Sequence, residues 1–416
     1  MSGFLRTPGL PAKLPLTVLA VVLFRIGQAL PAPGVDVAAL RDSAGAAVRD
    51  DPLYALAGLF TGGGLFRLSV FGLGVLPYVA ALFVVQLLVL TVPRMKALAA
   101  EGPAGAARIE RHTGLATVAM GALMGTAVAV AAVHGHLPGG GGPAGEGLPA
   151  VLSIAACMTA GAAVTAWLIR LITSRGLGEG LAVLFLAQLA AVFPGLLWDV
   201  RESEGGGAFA AVTAAVLLSG LLVVPAVLVL DRAERRVPVQ FARRMVGVRP
   251  PPPPGTTTHV SLRLSHAGLL PVFTALAMLH LPALAARLWP GGGRPDGLWT
   301  LPDQGSPWFL LALFALVAVL TVMNSAVAAD VVGVTDRLKR DGAFVPGIRP
   351  GRPTAEYLGY VQGRLAAVTP LALGAVAVLP SAALVLVGAG ELLPVTGTCV
   401  LLLVSAALTT RRTVSF

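Results

Sequence analysis

The chain is built from long apolar runs separated by polar segments. Ten runs meet the length needed to cross a bilayer, about 20 residues at 1.5 Å each. They cover residues 14–30, 72–92, 114–133, 149–172, 181–198, 208–230, 267–288, 308–334, 365–387 and 392–410. Backbone N–H and C=O groups find no water in lipid, so each run is predicted as a helix that satisfies them internally. The last two runs carry helix breakers, Pro370 and Pro380 in one and Pro394 with Gly397 in the other. The first run ends in Pro31-Ala32-Pro33-Gly34 and contains Arg25. It reads as a retained span, not a cleaved leader.

Composition agrees with the pattern. Hydrophobic residues make up 56% of the chain, charged residues 12%, and the mean hydropathy is +0.82. A soluble domain carries about 25% charged residues, so a membrane protein is indicated before any motif is considered. The charge adds orientation. With the N-terminus in the cytoplasm, 23 of the 30 Lys and Arg fall on that side or at its membrane edge. Only five, Arg41, Arg49, Arg201, Arg287 and Arg294, fall on the other. Short loops follow the positive-inside rule, which predicts both termini in the cytoplasm. Basic residues spread over separate loops beside spans also argue against a specific nucleic-acid site.

Two cytoplasmic loops are long. Loop 231–265 holds Arg232, Arg235, Arg236, Arg243, Arg244, Arg249 and a proline run at 250–254, which is stiff and extended. The other loop is 335–364. Such loops serve as topology anchors or anionic-lipid sites, or together as a docking platform for a cytosolic partner. A break near 202–207 separates five spans from five more, dividing the chain into halves 1–204 and 205–416. The halves run in opposite directions, the topology of an inverted repeat with a pathway at its interface.

Chemistry is sparse. Ionisable residues inside spans mark ion or proton pathways, and these spans hold almost none. Arg25 is the clear case and lies near enough to the outer end to snorkel. His280 and His266 read as packed or interfacial residues. Cys157 and Cys399 lie within apolar runs and imply neither a disulfide nor a metal site. No phosphate-binding loop, metal-ligand cluster or nucleophile–base pair is present, so no cofactor is expected and the chain is not read as an enzyme. A solute or lipid transporter would need polar groups converging at mid-membrane. What remains is a passive conduit, closed by an apolar constriction that resists wetting.

Several segments then carry a resemblance. The most specific is Gly342-Ala343-Phe344-Val345-Pro346-Gly347-Ile348-Arg349-Pro350-Gly351 followed by Pro353-Thr354-Ala355-Glu356-Tyr357-Leu358. Others are Leu59-Phe60-Thr61-Gly62-Gly63 through Ser69-Val70-Phe71, with Pro77-Tyr78 and Gln86-Leu87-Leu88, and Arg235-Arg236-Val237-Pro238-Val239-Gln240 to Arg244, with Ala267-Gly268 and Pro271. Arg25-Ile26-Gly27 with Pro31 to Asp36, and Arg175-Gly176-Leu177-Gly178-Glu179-Gly180, add weaker support. Collinear over about residues 5–410, these resemble the SecY/Sec61α family of protein-conducting channels.

The resemblance implies an all-α membrane protein of ten helices, in two five-helix halves around an hourglass pore. A re-entrant plug half-helix would lie at 61–71, with Thr61, Gly62, Gly63, Leu65, Arg67, Ser69 and Phe71. An external loop helix is the alternative for that stretch. The constriction ring would be Val75, Val79, Phe185, Leu189, Phe273 and Leu402. Gln86, Ser265, Gly268 and Pro271 would sit near a lateral gate between spans 2 and 7. There a hydrophobic segment partitions into lipid, each Leu or Ile contributing roughly 0.3–0.6 kcal/mol. Arg243, Arg244, Arg249, Arg349, Glu356 and Tyr357 would meet partners, with solvated charge as the alternative for the arginines. The implied partners are SecE- and SecG-type small membrane subunits, a SecA-type motor ATPase, the ribosome, signal-sequence-bearing polypeptides and lipid, in a bacterial inner membrane. Departures from the family pattern at Ser265, Asp330-Val331-Val332-Gly333 and the proline run keep open a specialised accessory channel with a restricted substrate set.

Overall fold

A computed structural model describes residues 10–35, 52–101, 103–134, 147–232, 234–241, 258–263, 271–272, 274–280, 307–328, 331–340, 343–349 and 351–386. Helices dominate: α1 (Leu10–Ala29), α2 (Pro52–Thr61), α3 (Leu76–Thr91), α4 (Pro93–Ala100), α5 (Pro103–Val133), α6 (Leu148–Arg175), α7 (Gly180–Arg232), α8 (Pro307–Ala328), α9 (Val331–Arg340) and α10 (Arg352–Leu386). Residues 271–272 and 274–280 are also helical. Among the described residues, five helices are long and apolar enough to cross a membrane, or six if the bent pair α3–α4 is one span. The last predicted span, 392–410, lies outside the described residues.

Element ends follow local chemistry. The chain bends by 102° between α3 and α4, where Val92 is extended before Pro93. A residue preceding proline is pushed out of the helical region. α5 exceeds the predicted run 114–133 because its first turns are polar. Exposed Arg108 pairs there with Glu101 at 3.1 Å. Arg170 of α6, half-buried, donates to the Glu110 carbonyl. The predicted loop at 202–207 is shorter than expected, since helical backbone runs through it and breaks at Gly205 (φ 86°). The Arg201 guanidinium lies 4.8 Å from the Trp198 ring and 5.9 Å from Phe209, a cation–π clasp across that corner.

Small residues let α5 and α6 approach closely. A Cβ added at Gly121 would lie 2.5 Å from Cβ of Ala162, and one at Gly125 would lie 3.2 Å from Cβ of Met158. Interfaces of this kind substitute for a hydrophobic drive that lipid cannot supply. Several hydroxyls inside the helices are satisfied locally: Thr117 of α5, Thr159 of α6 and Thr321 of α8 each donate to the carbonyl four residues earlier at 2.6–2.7 Å.

The long loops also contain strands, which the apolar-run pattern had not predicted. β1 (Glu234–Phe241) pairs antiparallel with β2 (Thr258–Arg263) and β3 (Ala343–Phe344), in the order β2-β1-β3. Val237 and Val239 are buried while Pro238 and Gln240 are exposed, the period-2 alternation of a half-buried strand. Pro238 pairs with His259 of β2, but β3 reaches only Gln240 and Phe241. Among the described residues the strand therefore has an unpaired edge at Pro238, where a missing N–H is tolerated.

Gly121→Ala is expected to cost about 1–3 kcal/mol by overpacking the α5–α6 contact, read as a lowered thermal midpoint in detergent. The same change at Gly363, exposed and with nothing within 4 Å of an added Cβ, is expected to be neutral or stabilising by up to about 1 kcal/mol.

Candidate constriction and its seal

Val75 caps the N-terminus of α3 and Val79 follows one turn later. Phe185 and Leu189 are one turn apart on α7. Residues four apart share a helix face, so each helix presents a pair. All four side chains are at most 1% exposed and belong to one apolar cluster with Phe24, Leu59, Phe60, Phe71, Val272, Leu276 and Leu313. The structure therefore brings four of the six predicted ring positions together in a dry core. Phe273 and Leu402 lie outside the described residues.

The predicted plug is arranged differently from the expectation. The α-helix of this region is α2, ending at Thr61, and 61–71 is not a half-helix. It holds one 3₁₀ turn, Leu65–Arg67, within a series of turns. The cause is the glycine triplet. Gly62 and Gly63 adopt φ +66° and +76°, and the Gly63 N–H donates to the Gly58 carbonyl at 2.8 Å. This is a Schellman termination, which ends a helix and does not begin one. Leu65, Phe66 and Leu68 then pack against Val128, Ala132, Ile154 and Met158 of α5 and α6. Arg67 is exposed, whereas Ser69 is buried and donates to the Gly64 carbonyl at 3.1 Å. The segment is stitched to the end of α1: Ala32 N–H donates to the Leu68 carbonyl, Val70 N–H to Leu30 and Phe71 N–H to Gly27, at 2.9–3.1 Å. Rings of Phe24 and Phe71 stack with centroids 5.9 Å apart.

A helix end leaves four carbonyls without intrahelical partners. At α2 the Gly58 carbonyl is taken by Gly63. The Phe60 carbonyl accepts from Nε2 of Gln188 on α7 at 3.0 Å, and the Thr61 carbonyl from Nε2 of Gln28 on α1 at 3.0 Å. The Arg25 guanidinium donates to Oε1 of Gln28, so it is half-buried and bonded inward, not only snorkelling. The Phe60 ring lies 6.2 Å from that of Phe185, putting the end of α2 directly on this apolar cluster. Sequence reading missed both glutamines. The available signal was an amide in an apolar run, which is costly in a dry interior without a partner.

Of the predicted gate positions, Gln86 is half-buried on α3 and Pro271 is buried. α3 packs against α8. Ser265 and Gly268 lie outside the described residues, as do Arg243, Arg244, Arg249, Asp330 and the proline run. In the second loop, Val345 and Ile348 close a tight turn with Gly347 at φ +82°, the type II pattern with proline then glycine. Val237, Val345, Leu358 and Val361 form a small core beneath it, with Tyr357 half-buried against them. Arg349 is exposed, and its carbonyl accepts from the Thr354 hydroxyl at 2.9 Å. Glu356 pairs with Arg352 at 3.0 Å. Among the described residues no group of three or more His, Cys, Asp or Glu converges.

Comparison with known proteins agrees with this geometry. The family model described as SecY matches residues 69–411. The protein translocase subunit SecY of Streptomyces galbus is 37% identical over 97% of this chain and 94% of its own length. Three solved structures share the fold at 16% identity, each covering 99% of this chain and 93% of its own. One is a protein-conducting channel, with TM-score 0.66. Another, at 0.65, belongs to a study of how the SecY plug domain stabilises the closed state and maintains a membrane seal. The third, at 0.63, is Sec61 in the canine ribosome–channel complex of the endoplasmic reticulum. With the family model matching most of its length and a relative this similar, the chain belongs to the SecY family.

Proposed function

We propose that the protein is the channel-forming subunit of a protein translocase, passing unfolded polypeptides across a bacterial cell membrane and releasing hydrophobic segments sideways into lipid. The observation that carries this reading is the closed apolar cluster of Val75, Val79, Phe185 and Leu189 with the end of α2 lying on it. A constriction lined by such side chains excludes water and ions when empty, yet yields to an extended chain because no charge pair must be broken. Family membership and the sparse ionisable groups agree with a conduit that performs no catalysis.

In this reading the full chain forms ten spans in two halves, 1–204 and 205–416, both termini cytoplasmic. The break at Gly205 supports the division. α2 is the plug. The seam beside α3, with Gln86 and Pro271, is the lateral exit. The joined loops, exposing Arg349, receive the motor ATPase or the ribosome, and SecE- and SecG-type subunits cover lipid-facing helices. The ribosome is supported by the canine neighbour, and the motor and small subunits by the family resemblance.

Reconstitution with a SecE-type subunit and a SecA-type ATPase is expected to give ATP-dependent uptake of a preprotein into vesicles. An intact complex that takes up none overturns the general-channel reading. Val79→Asn is expected to wet the constriction, raising resting ion conductance several-fold and relaxing signal-sequence selectivity. Planar-bilayer recording and export of signal-defective substrates check this, and wild-type values in both would remove Val79 from the ring. Arg349→Glu is expected to lower motor- or ribosome-driven transport about tenfold, since a charge-assisted contact is worth roughly 1.5–3 kcal/mol, with membrane insertion of the protein unchanged. Transport at the wild-type rate would mark Arg349 as a solvated charge.

A further inference from the structure

Two glutamines from different helices converge on the same helix end. Gln28 is 2% exposed and Gln188 is fully buried. Their amides donate to the consecutive carbonyls of Thr61 and Phe60, the last two of α2. Each amide is received by a glycine. A Cβ at Gly62 would lie 2.6 Å from Nε2 of Gln28, and one at Gly74 (φ +56°) would collide with Nε2 of Gln188. The Gln28 amide is turned by Arg25, one helical turn away, which donates to Oε1 and leaves Nε2 facing Thr61. Oε1 of Gln188 has no hydrogen-bond partner among the described residues. A side chain kept in a dry core with half its capacity unused is held there by what its other half does.

We infer that Gln28 and Gln188 are the latch of the channel: paired amide donors, one from α1 and one from α7, that hold the carbonyl end of α2 on the constriction in the resting state. The inference rests on the reading of α2 as the sealing element. The partner is the chain's own helix terminus, and the bonds are directional. When α2 tilts or withdraws, both donors and the Phe60 carbonyl lose these bonds in an apolar wall, and the Thr61 carbonyl keeps only its longer bond from the Gly64 N–H at 3.3 Å. Opening must therefore break the two bonds together, and the latch sets how readily a signal sequence unseals the channel. Arg25 acts through Gln28 as a positioning residue.

The test uses the complete complex in vesicles, in a background with Cys157 and Cys399 replaced. Gly58→Cys supplies a probe on α2, where an added Cβ makes only ordinary contact with the Phe66 ring at 3.5 Å. Its labelling by a membrane-impermeant maleimide from the outer side reports withdrawal of α2. Resting halide leak is measured in parallel without the probe. Gln188→Met keeps the side chain's length and removes its donor. Gln28→Glu keeps its shape and its contact with Arg25 and removes the donor. Each is expected to raise labelling and leak about fivefold, as for loss of one ordinary hydrogen bond, and the pair together about 25-fold if the two act independently. Thr117→Val, which removes a buried hydroxyl bonded within its own helix α5, is expected to change neither. Glutamines with a merely structural role would lower the thermal midpoint and leave labelling and leak at resting values, which overturns the latch. Deletion of residues 57–66 separates the two readings. A leak in the deletion with none in the glutamine variants sinks the latch and spares the plug. No leak in the deletion sinks both.

Discussion

A helix that ends inside a dry interior leaves carbonyls that neither lipid nor packed apolar side chains can satisfy. The end of α2 is such a place, and the segments around it are arranged to meet its demand. The glycine triplet turns the chain so that the Gly58 and Thr61 carbonyls are met by the backbone itself. Gln188 and Gln28 reach from opposite helices, one to meet the Phe60 carbonyl and the other to add a second bond to Thr61. Their positions fix where α1 and α7 lie relative to α2, and so bring Phe60 onto Phe185 above the apolar pairs of α3 and α7. A hydrophobic contact alone would tolerate sliding, whereas directional bonds to consecutive carbonyls do not.

Around that point the packing follows a membrane logic. α5 and α6 approach through Gly121, Gly125, Ala155 and Ala162, because dispersion contacts between close helices replace a hydrophobic drive that is missing in lipid. The same two helices form the wall on which Leu65, Phe66 and Leu68 rest. This close interface thus doubles as the seat of the turns following α2. Backbone bonds from 68–71 to the end of α1 fasten that seat to the first span.

Much of the fold was legible in the sequence because long apolar runs have one physical solution. Run boundaries moved where polar residues extended a helix beyond the bilayer, as at Arg108 and Glu110 of α5 and Arg352 and Glu356 of α10. The ring positions on α3 and α7 were proposed through family resemblance, and all four are buried in one apolar cluster. Composition alone would not have found them, since most positions in a span are apolar. The helix expected at 61–71 lies at 52–61 instead. Gly62 and Gly63 look like loop residues from either side, and only their positive φ values tell an ending from a beginning. The sheet was readable in principle from the alternation of Val237 and Val239, but arginines and a proline among them masked the period. Gln28 and Gln188 were illegible, because the carbonyls they serve lie 33 and 128 residues away in the chain.

The sheet that joins the two long loops has a mechanical corollary. β1 lies between a strand of its own loop and a strand of the next, and both loops rest on Leu358 and Val361 at the base of α10. Force applied to either loop is therefore carried through backbone bonds to the other and delivered to one helix. The two loops are a single handle. A pull applied to it anywhere reaches the first turns of α10, ahead of Pro370 and Pro380, and a partner too small to span the sheet gains the same leverage as one that covers it.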